Sequence, residues 1–354
     1  MPDDLPDGLP DGLRWLGDPP EPKPGEVIAL LVTRNEALRL PACLAHLRTQ
    51  GVDRAYVIDN QSSDATREIA ARHPWVHVMD APGSYAGSGF GISWTNAVLD
   101  RHARDHWALV VDADELLVFP GCGTQGLPAL CAHLRRIGAE ALRTVLLDCF
   151  PDGPLHRLAY APGDPLPAAA PCFEAPRLRA EPVPNFPYDQ EYGGVRERLF
   201  FAETDPARLS RQLHQKAWNA GVKLGVARRL SRFVPRRSPT VTKVPLVYWR
   251  QGAALLASTH QLAPMRLVEG QPSGVLLHYK FLQDFHERAL DAVRRDAHWD
   301  GSREYRRYLA ALARNPEFGL HGPLSLRYEG PDQLVALGLM RDSPAWLAER
   351  SLAA

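Results

Sequence analysis

The chain has 354 residues, 45% hydrophobic and 23% charged, the composition of a globular protein with room for one large domain or two ordinary ones. Lysine plus arginine equals aspartate plus glutamate at 41 each, so the total charge does not favour a polyanionic partner. No stretch approaches the roughly 18 consecutive apolar residues of a transmembrane helix.

The termini and cysteines indicate where the protein works. The five cysteines are irregularly spaced and include no Cys-x-x-Cys pair, which favours reduced thiols in a cytoplasmic protein. The first residues are acidic and rich in proline, unlike a secretory signal. We therefore predict that residues 1–25 form a flexible N-terminal tail.

After this tail, apolar runs alternate with amphipathic segments. This alternation predicts an α/β fold with a mostly parallel central sheet flanked by helices. The predicted strands are 27–32, 55–58, 76–79, 109–111, 142–147, 243–249 and 275–277. The predicted helices are 38–50, 64–72, 92–104, 128–137 and 281–294.

The first four predicted strands share polar ends. Ligands of open α/β sheets bind beyond the carboxyl ends of the strands, so these ends predict the position of a binding site. They carry Thr33 to Glu36, Asp59 and Asn60, Asp80, and Asp112 to Asp114.

Three carboxylates follow the fourth strand within four positions, in the segment Asp112-Ala113-Asp114-Glu115. In an extended chain Asp112 and Asp114 project to the same side, because side chains alternate. Such a pair offers two hard oxygen ligands to one Mg²⁺ or Mn²⁺ ion. Glu115 would point away and brace a helix or an arginine. The alternative is a strand that runs into a solvated acidic turn.

Two later regions break the alternation. Residues 150–192 are rich in proline without periodicity, and we expect a surface excursion that forms part of an acceptor site or lid. Residues 206–268 hold twelve lysines and arginines and no acidic residue, which favours phosphate or anionic lipid, or else a solvated basic surface. Nucleic acid is disfavoured, because aromatic residues are not interleaved in a stacking pattern.

Several segments, spanning roughly residues 27–285, together resemble inverting-type glycosyltransferases of family two. The closest resemblance is to a bacterial branch in which an Arg/Lys-Asn-Glu turn follows the first strand. The segments are VTRNEALRLPACLAHLRTQGVDRAYVIDNQSSDAT (32–66), VVDADELLV (110–118), GGVRERLF (193–200), KVPLVYWRQG (243–252), STH (258–260) and GVLLHYKF (274–281).

The resemblance implies a GT-A type fold, in which residues 26–150 bind a nucleoside-diphosphate sugar. Residues 151–290 would form the acceptor half, and residues 291–354 a C-terminal helical extension. The positions matched to donor contacts are Thr33, Asn35, Glu36, Asp59, Asn60 and Asp64, together with Asn96 on the helix before the acidic strand.

The resemblance also implies a divalent metal, Mn²⁺ or Mg²⁺. Asp112 and Asp114 would bind it, and His260 or His278 would complete the metal or diphosphate site. A cation held between carboxylates and phosphates would neutralise the leaving diphosphate.

Glu197, within GGVRERLF, is the candidate base for the proton of the acceptor hydroxyl. Arg196 and Arg198 flank it. If this segment is extended, both arginines point away from Glu197, toward the diphosphate or a structural carboxylate.

Several of these residues have structural alternatives. The helix dipole alone favours a glutamate such as Glu36 at a helix start, and Asp64 could serve only as an N-cap. Asn96 could face solvent, and His278 could be a satisfied core histidine.

The sequence thus predicts a cytoplasmic, metal-dependent glycosyltransferase, inverting by resemblance, acting in polysaccharide biosynthesis. Its acceptor would be a glycan, a lipid-linked glycan or a small molecule, and the basic block predicts peripheral contact with an anionic inner membrane face. One alternative is a nucleotidyltransferase, whose Gly-rich, Lys/Arg-containing signature is replaced here by TRNEA. The other is a non-catalytic nucleotide-sugar-binding protein of the same fold.

Overall fold

The computed structural model describes residues 9–10, 12–175, 178–182, 188–201, 238–256, 258–295, 302–315 and 317–353. The chain divides into two compact units, one formed by Met1–Ala175 with Thr242–Ala354 and the other by Pro176–Val241. The chain returns to the first unit's sheet at residue 242.

The first unit is built on an eleven-stranded sheet with a parallel half. Its parallel strands lie in the order β4 (Val76–Asp80), β3 (Arg54–Asp59), β2 (Val27–Thr33) and β5 (His106–Val110). The helices between them are α1 (Leu40–Thr49), α2 (Thr66–Ala71) and α3 (Ile92–His102). All of β3 is buried, as expected for a strand covered on both faces.

Beyond β5 the sheet continues with strands of mixed direction. Strand β11 (Thr242–Trp249) is antiparallel to both β5 and β7 (Ala141–Phe150). Strand β14 (Gly274–His278) is parallel to β7 on one side and antiparallel to β6 (Glu115–Val118) on the other. The predicted α/β fold is therefore confirmed. Strand β14 lies between β6 and β7, which both come much earlier in the chain.

Shorter elements complete the first unit. Strand β8 (Cys172–Glu174) pairs with β7 and with β15 (Ser325–Arg327), and β12 (Ala254–Leu255) pairs with β13 (Leu262–Ala263). The remaining helices are α4 (Leu127–Arg136), α5 (Leu166–Ala169), α7 (Phe285–Arg295), α8 (Arg303–Arg314), α9 (Pro331–Ala336) and α10 (Pro344–Ala353). Within the described ranges, no helix has both the length and the apolar character needed to cross a membrane.

The second unit contains a short antiparallel pair and one helix. Strand β9 (Arg179–Glu181) pairs with β10 (Gln190–Tyr192), and α6 (Val195–Phe200) follows. The backbone amide of Val241 bonds the carbonyl of Glu191 at 2.8 Å. Residues 202–237, which contain most of the basic block, lie outside the described residues.

Part of the predicted tail is a strand. Strand β1 (Arg14–Trp15) pairs antiparallel with β4. Arg14 forms a 2.9 Å ion pair with Asp80, and the Trp15 ring packs edge-on against Tyr56 and His102. The flexible-tail prediction does not hold here, because these two side chains find partners that the average composition of the stretch does not reveal.

Arg39 connects the beginning of α1 to the segment between β14 and α7. Its fully buried guanidinium donates to the carbonyls of Tyr279 at 2.9 Å and Lys280 at 3.3 Å, and makes two 2.6 Å bonds to Asp284. The predicted helix 281–294 begins only at Phe285, since this arginine holds the preceding residues in a non-helical connection.

Replacing Arg39 by methionine should lower the free energy of unfolding by about 3–5 kcal/mol, because it leaves a largely buried carboxylate and two carbonyls unpaired. Urea denaturation measures this loss. Arg136→Met is the matched control, since the Arg136 side chain is 58% exposed in its pair with Glu349 and should cost below about 1 kcal/mol. Equal losses in the two variants would contradict the role given to Arg39.

Candidate functional site

The carboxyl ends of the parallel strands bring the predicted polar residues to one edge of the sheet. Thr33 is the register partner of Asp59, and Asp59 is the register partner of Asp80. Strand β5 ends at Val110, two residues before Asp112. The sequence predicted this gathering from the strand ends alone.

Asp59 is fully buried at this edge. Its Oδ2 accepts hydrogen bonds from Arg67 at 2.6 Å and from the Ser62 amide at 3.1 Å. Arg67 also bonds Asp80, so one guanidinium joins two strand ends. The second oxygen of Asp59, Oδ1, is buried without a hydrogen-bond partner among the described residues, so this carboxylate keeps an acceptor for a ligand.

Two neighbouring predicted contacts bond the backbone instead. The amide nitrogen of Asn60 donates to the carbonyls of Ala81 at 2.8 Å and Gly83 at 3.0 Å. The hydroxyl of Thr33 lies 3.4 Å from the carbonyl of Ile58. These side chains position the strand-end loops.

Asn35 and Asp64 tie two loops together. Asn35 has a positive φ of 53°, a conformation that asparagine adopts more readily than most residues, and its Oδ1 accepts from the Ser63 amide at 2.8 Å. Asp64 accepts from the amides of Ala37 and Thr66, each at 3.0 Å. Helix α2 begins at Thr66 with Ala65 at the cap position, so Asp64 bonds the helix start without occupying the cap.

Asp112 and Asp114 do not lie on an extended strand. The amide of Glu115 bonds the carbonyl of Asp112 at 3.0 Å, which closes a turn between β5 and β6. The predicted alternation therefore does not apply. The Asp112 side chain is 57% exposed, whereas that of Asp114 is 8% exposed, so the two carboxylates have different surroundings.

On the exposed side, Lys243 neutralises the turn. Its buried ammonium bonds Glu115 and lies 3.5 Å from Asp112. Burial lowers the pKa of Lys243, but Glu115 and Asp112 raise it above its ordinary value, so the lysine stays charged. Pro245, which lacks an N–H, sits in a register shift of β11 just after this lysine.

On the buried side, sheet register brings Asp114 to His278. His278 pairs with Asp148 on β7 and with Glu115 on β6. Its Nδ1 lies 2.7 Å from Asp148, and its Nε2 lies 3.5 Å from Asp114. His278 is therefore not a lone core histidine, because carboxylates face both ring nitrogens.

Beyond Asp114, positively and negatively charged side chains continue to alternate. Arg288 lies 4.0 Å from Asp114 and makes bonds of 2.7 and 3.0 Å to Glu36. We call Glu36, Arg288, Asp114, His278 and Asp148 the charge chain. Burial raises the pKa of Asp114, but His278 and Arg288 hold it well below its ordinary value, so the chain contains an ionised carboxylate.

A pocket opens beside Asp112, at the ends of β2 and β5. Acidic, hydroxyl-bearing and apolar residues line it. Its lining is Val32, Tyr85, Phe90, Gly91, Ile92, Thr95, Val110, Val111, Asp112, Glu115, Leu255, Ser258 and Thr259.

Two further predicted residues hold backbone groups. The side chain of Asn96 pairs with Leu255, donating to its carbonyl at 3.0 Å and accepting from its amide at 2.9 Å, so it does not face solvent freely. The Nδ1 of His260 lies 2.7 Å from the carbonyl of Thr242. In the described chain, neither His260 nor His278 joins Asp112 and Asp114 in a three-donor group within 4.8 Å.

Glu197 belongs to the second unit and has partners there. It accepts from Arg179 at 2.7 and 2.9 Å and from the Ser238 hydroxyl at 2.9 Å. Residues 195–200 form helix α6, so the condition of an extended segment, on which the orientation of Arg196 and Arg198 depended, is not met. Val195, Arg196 and Phe200 are buried in this helix.

Sequence reasoning missed Lys243, Arg288 and Asp148. Two of them left a signal, since a charged residue interrupts an apolar run in KVPLVYW and in VLLDCF. Arg288 left none, because it lies on an amphipathic helix where a charge is expected on the outer face.

Part of the chain matches a known protein family. Residues 29–120 match the family described as glycosyl transferase family 2, whereas no curated protein sequence matches the chain. Among solved structures, two complexes of glucosyl-3-phosphoglycerate synthase from Mycobacterium tuberculosis are similar at 14% identity over 35% of this chain, with TM-score 0.24. Both contain Mn²⁺ and uridine diphosphate, one with phosphoglyceric acid and the other with glucosyl-3-phosphoglycerate.

A third structure, 4-diphosphocytidyl-2C-methyl-D-erythritol synthase, is similar at 17% identity over 36% of this chain and 62% of its own, with TM-score 0.22. The chain spans 43% and 44% of the two synthase chains.

The fold is an α/β sheet whose parallel strands end at one edge, and open α/β sheets generally bind ligands at that edge. The matched segment contains this parallel half and the Asp112–Glu115 turn. This match confirms, for residues 29–120, the resemblance to family 2 glycosyltransferases seen in the sequence, and the mostly parallel α/β sheet confirms the predicted fold class.

The charge chain predicts a pH-dependent contribution of His278 to stability. Burial lowers the pKa of His278, but Asp114 and Asp148 raise it above the ordinary 6.5. The contribution of a group with a raised folded pKa is complete below pH 6.5 and is lost as pH rises through the folded pKa. That of Asp114, with a lowered pKa, is lost only as pH falls below its ordinary 3.8.

Urea denaturation of wild type and His278→Gln should therefore show the largest difference in free energy of unfolding between about pH 4 and 6.5. The difference should decrease toward pH 9. A difference that grows with pH would contradict a charged His278. His106→Gln, on an exposed imidazole bonded only to backbone carbonyls, is the matched control.

Proposed function

We propose that the chain transfers a sugar from a nucleoside-diphosphate sugar to an acceptor hydroxyl, using a divalent metal bound at the Asp112–Glu115 turn. The observation that carries this proposal is the pairing of Asp114 with His278 at the carboxyl ends of the strands, inside a fold of the glycosyltransferase family 2 type.

The donor atoms at this turn fit a divalent cation. The Asp114 Oδ2 and His278 Nε2 atoms are 3.5 Å apart, within the roughly 3–4 Å that separates two ligands of one such ion. Asp148 holds Nδ1 of the same ring, the usual orientation of a metal-binding histidine by a carboxylate. His278 is preferred to His260 because its Nε2 faces Asp114.

Asp112 is the proposed third ligand, because it is exposed and lines the pocket, although its carboxylate would have to turn toward the other two, since the three donors do not all lie within 4.8 Å of one another. Lys243 balances its charge from the buried side. When bound, Mn²⁺ or Mg²⁺ would supply positive charge for the leaving diphosphate.

The other predicted donor-site residues fall into two groups, those proposed to act through a charged side chain and those proposed to hold the backbone. Asp59 is proposed to accept a hydrogen bond from the nucleoside through its unpartnered Oδ1. Glu36 is proposed to act there through Arg288, which it holds beside Asp114. Thr33, Asn35, Asn60, Asp64 and Asn96 are proposed to shape the donor site through the backbone bonds described above.

A thermal-shift screen of UDP, GDP, CDP and dTDP sugars, with and without Mn²⁺, tests the donor site. One nucleotide should raise the melting temperature of wild type in a metal-dependent way, since ligand at hundredfold over its Kd adds about 2.7 kcal/mol. Asp112→Asn and Asp114→Asn should lose the metal-dependent part.

Two variants keep the screen interpretable. Asp112→Asn changes an exposed carboxylate and should fold even if Asp114→Asn does not. Asp105→Asn is the matched control, because Asp105 is exposed and its φ of 61° suits asparagine. Folded wild type that shifts with no nucleotide in either metal condition would overturn the proposal, and a response to nucleoside triphosphates alone would favour a nucleotidyltransferase.

Glu197 is the proposed base of an inverting transfer, and Arg196 and Arg198 are proposed substrate contacts on the same helix. Glu197→Gln should lower the transfer rate by roughly 10²–10⁴ and leave the nucleotide-induced thermal shift unchanged. Glu181→Gln is the matched control in the same unit. Full activity of Glu197→Gln would show that another residue is the base. The proposal for the donor site would be unaffected.

The acceptor is proposed to be a glycan or a lipid-linked glycan, in polysaccharide biosynthesis on the cytoplasmic side of a membrane. The support is the basic block alone, whose net positive charge suits an anionic membrane surface.

A further inference from the structure

A second group of metal-binding side chains lies where three segments of the first unit meet. Asp152 follows the end of β7, Cys172 is the first residue of β8, and His321 precedes β15. One ligand atom from each lies within 4.8 Å of the other two. Across the described ranges, no other trio of histidine, cysteine and acidic residues is gathered this closely.

The spacing matches a tetrahedral ion. The His321 Nε2 and Asp152 Oδ1 atoms are 3.3 Å apart. Two ligands bound at about 2.0–2.1 Å in a tetrahedron are separated by about 3.3–3.4 Å. A thiolate, an imidazole and a carboxylate also form a donor set that suits zinc better than Mg²⁺ or Ca²⁺.

The segments that carry Asp152 and His321 are fastened to each other. The amide of Leu155 bonds the carbonyl of Phe318 at 3.0 Å, and Arg157 pairs with Glu317 at 2.6 Å. A Cβ on Gly319 would lie 3.0 Å from the carbonyl oxygen of Gly153, so the two backbones approach each other closely.

Cys172 is fixed to both neighbours. It pairs in register with Phe150 on β7, two residues before Asp152, and with Arg327 on β15. The sheet therefore holds the thiol beside the point where the other two ligands meet, so binding would require little reorganisation of the backbone.

We propose that Asp152, Cys172 and His321 bind one zinc-class divalent transition metal, with the fourth position open to water. Asp152 and His321 have side chains 58% and 48% exposed, so the ion enters from solvent, whereas Cys172 is buried beneath them. Binding replaces the thiol proton by the metal and releases that proton to solvent. The ion would join the end of β7 to the loop before β15 and stabilise the folded chain by mass action.

Titration of the full chain with Co²⁺, after removal of bound metal by a chelator, tests this site. Wild type should take up cobalt with the near-ultraviolet charge-transfer absorption of a cobalt–thiolate bond. Cys172→Ser should abolish that band. His321→Gln and Asp152→Asn should weaken Co²⁺ binding by at least about tenfold.

Matched controls lie close by. Cys122→Ser and His156→Gln change a free cysteine and a half-exposed histidine outside the trio, and both should keep the band. His321→Gln alters a half-exposed side chain and remains informative if Cys172→Ser does not fold, as circular dichroism would reveal. The proposal would be overturned if wild type showed no cobalt–thiolate band, or if Cys172→Ser kept the band. It would also be overturned if His321→Gln bound Co²⁺ as tightly as wild type does.

The result is independent of the proposed donor site. Asp112, Asp114 and His278 provide no sulfur, so cobalt bound there gives no thiolate band. Conversely, the metal-dependent nucleotide shift does not require Cys172.

Discussion

The structure depends on how the ionised carboxylate of Asp114 is kept out of water. A buried charge is costly unless it is paired, and Asp114 is paired by His278 on one side and Arg288 on the other. These partners come from β14 and from helix α7, which follows it in the chain. Glu36 and Arg39, near the first strand end, in turn hold that helix through Arg288 and Asp284. The charge chain therefore joins the two ends of the first unit's sequence at the functional edge.

Because the buried Asp114 carboxylate must be paired, the two aspartates of the turn differ in their partners and in their exposure to solvent. Asp114 is committed to internal partners, whereas Asp112 reaches solvent and the pocket. Lys243 lies beneath Asp112 and Glu115 and prevents the three carboxylates from repelling one another. The proposed metal site therefore combines one fixed carboxylate with one accessible carboxylate.

Polar residues at the other strand ends mostly satisfy the backbone. Asn60 bonds the loop after β4, and Asn96 bonds Leu255 at the pocket wall. Such residues are as necessary to a binding site as direct contacts, because they keep loops in one conformation before a ligand arrives. Asp59 is the exception, since one of its oxygens stays unbonded in a buried position.

The sequence by itself determined the alternating strands and helices, the parallel half of the sheet and the edge at which polar residues gather. Those features follow from local hydrophobic periodicity and from the rule that parallel strands share one carboxyl edge. Only the tertiary structure decided the partners of Asp114, the burial of Lys243 and the turn that replaces an extended Asp112–Glu115. Each of these depends on β11 and β14 returning to the sheet more than a hundred residues later, and no local pattern encodes which residue a distant strand will place alongside.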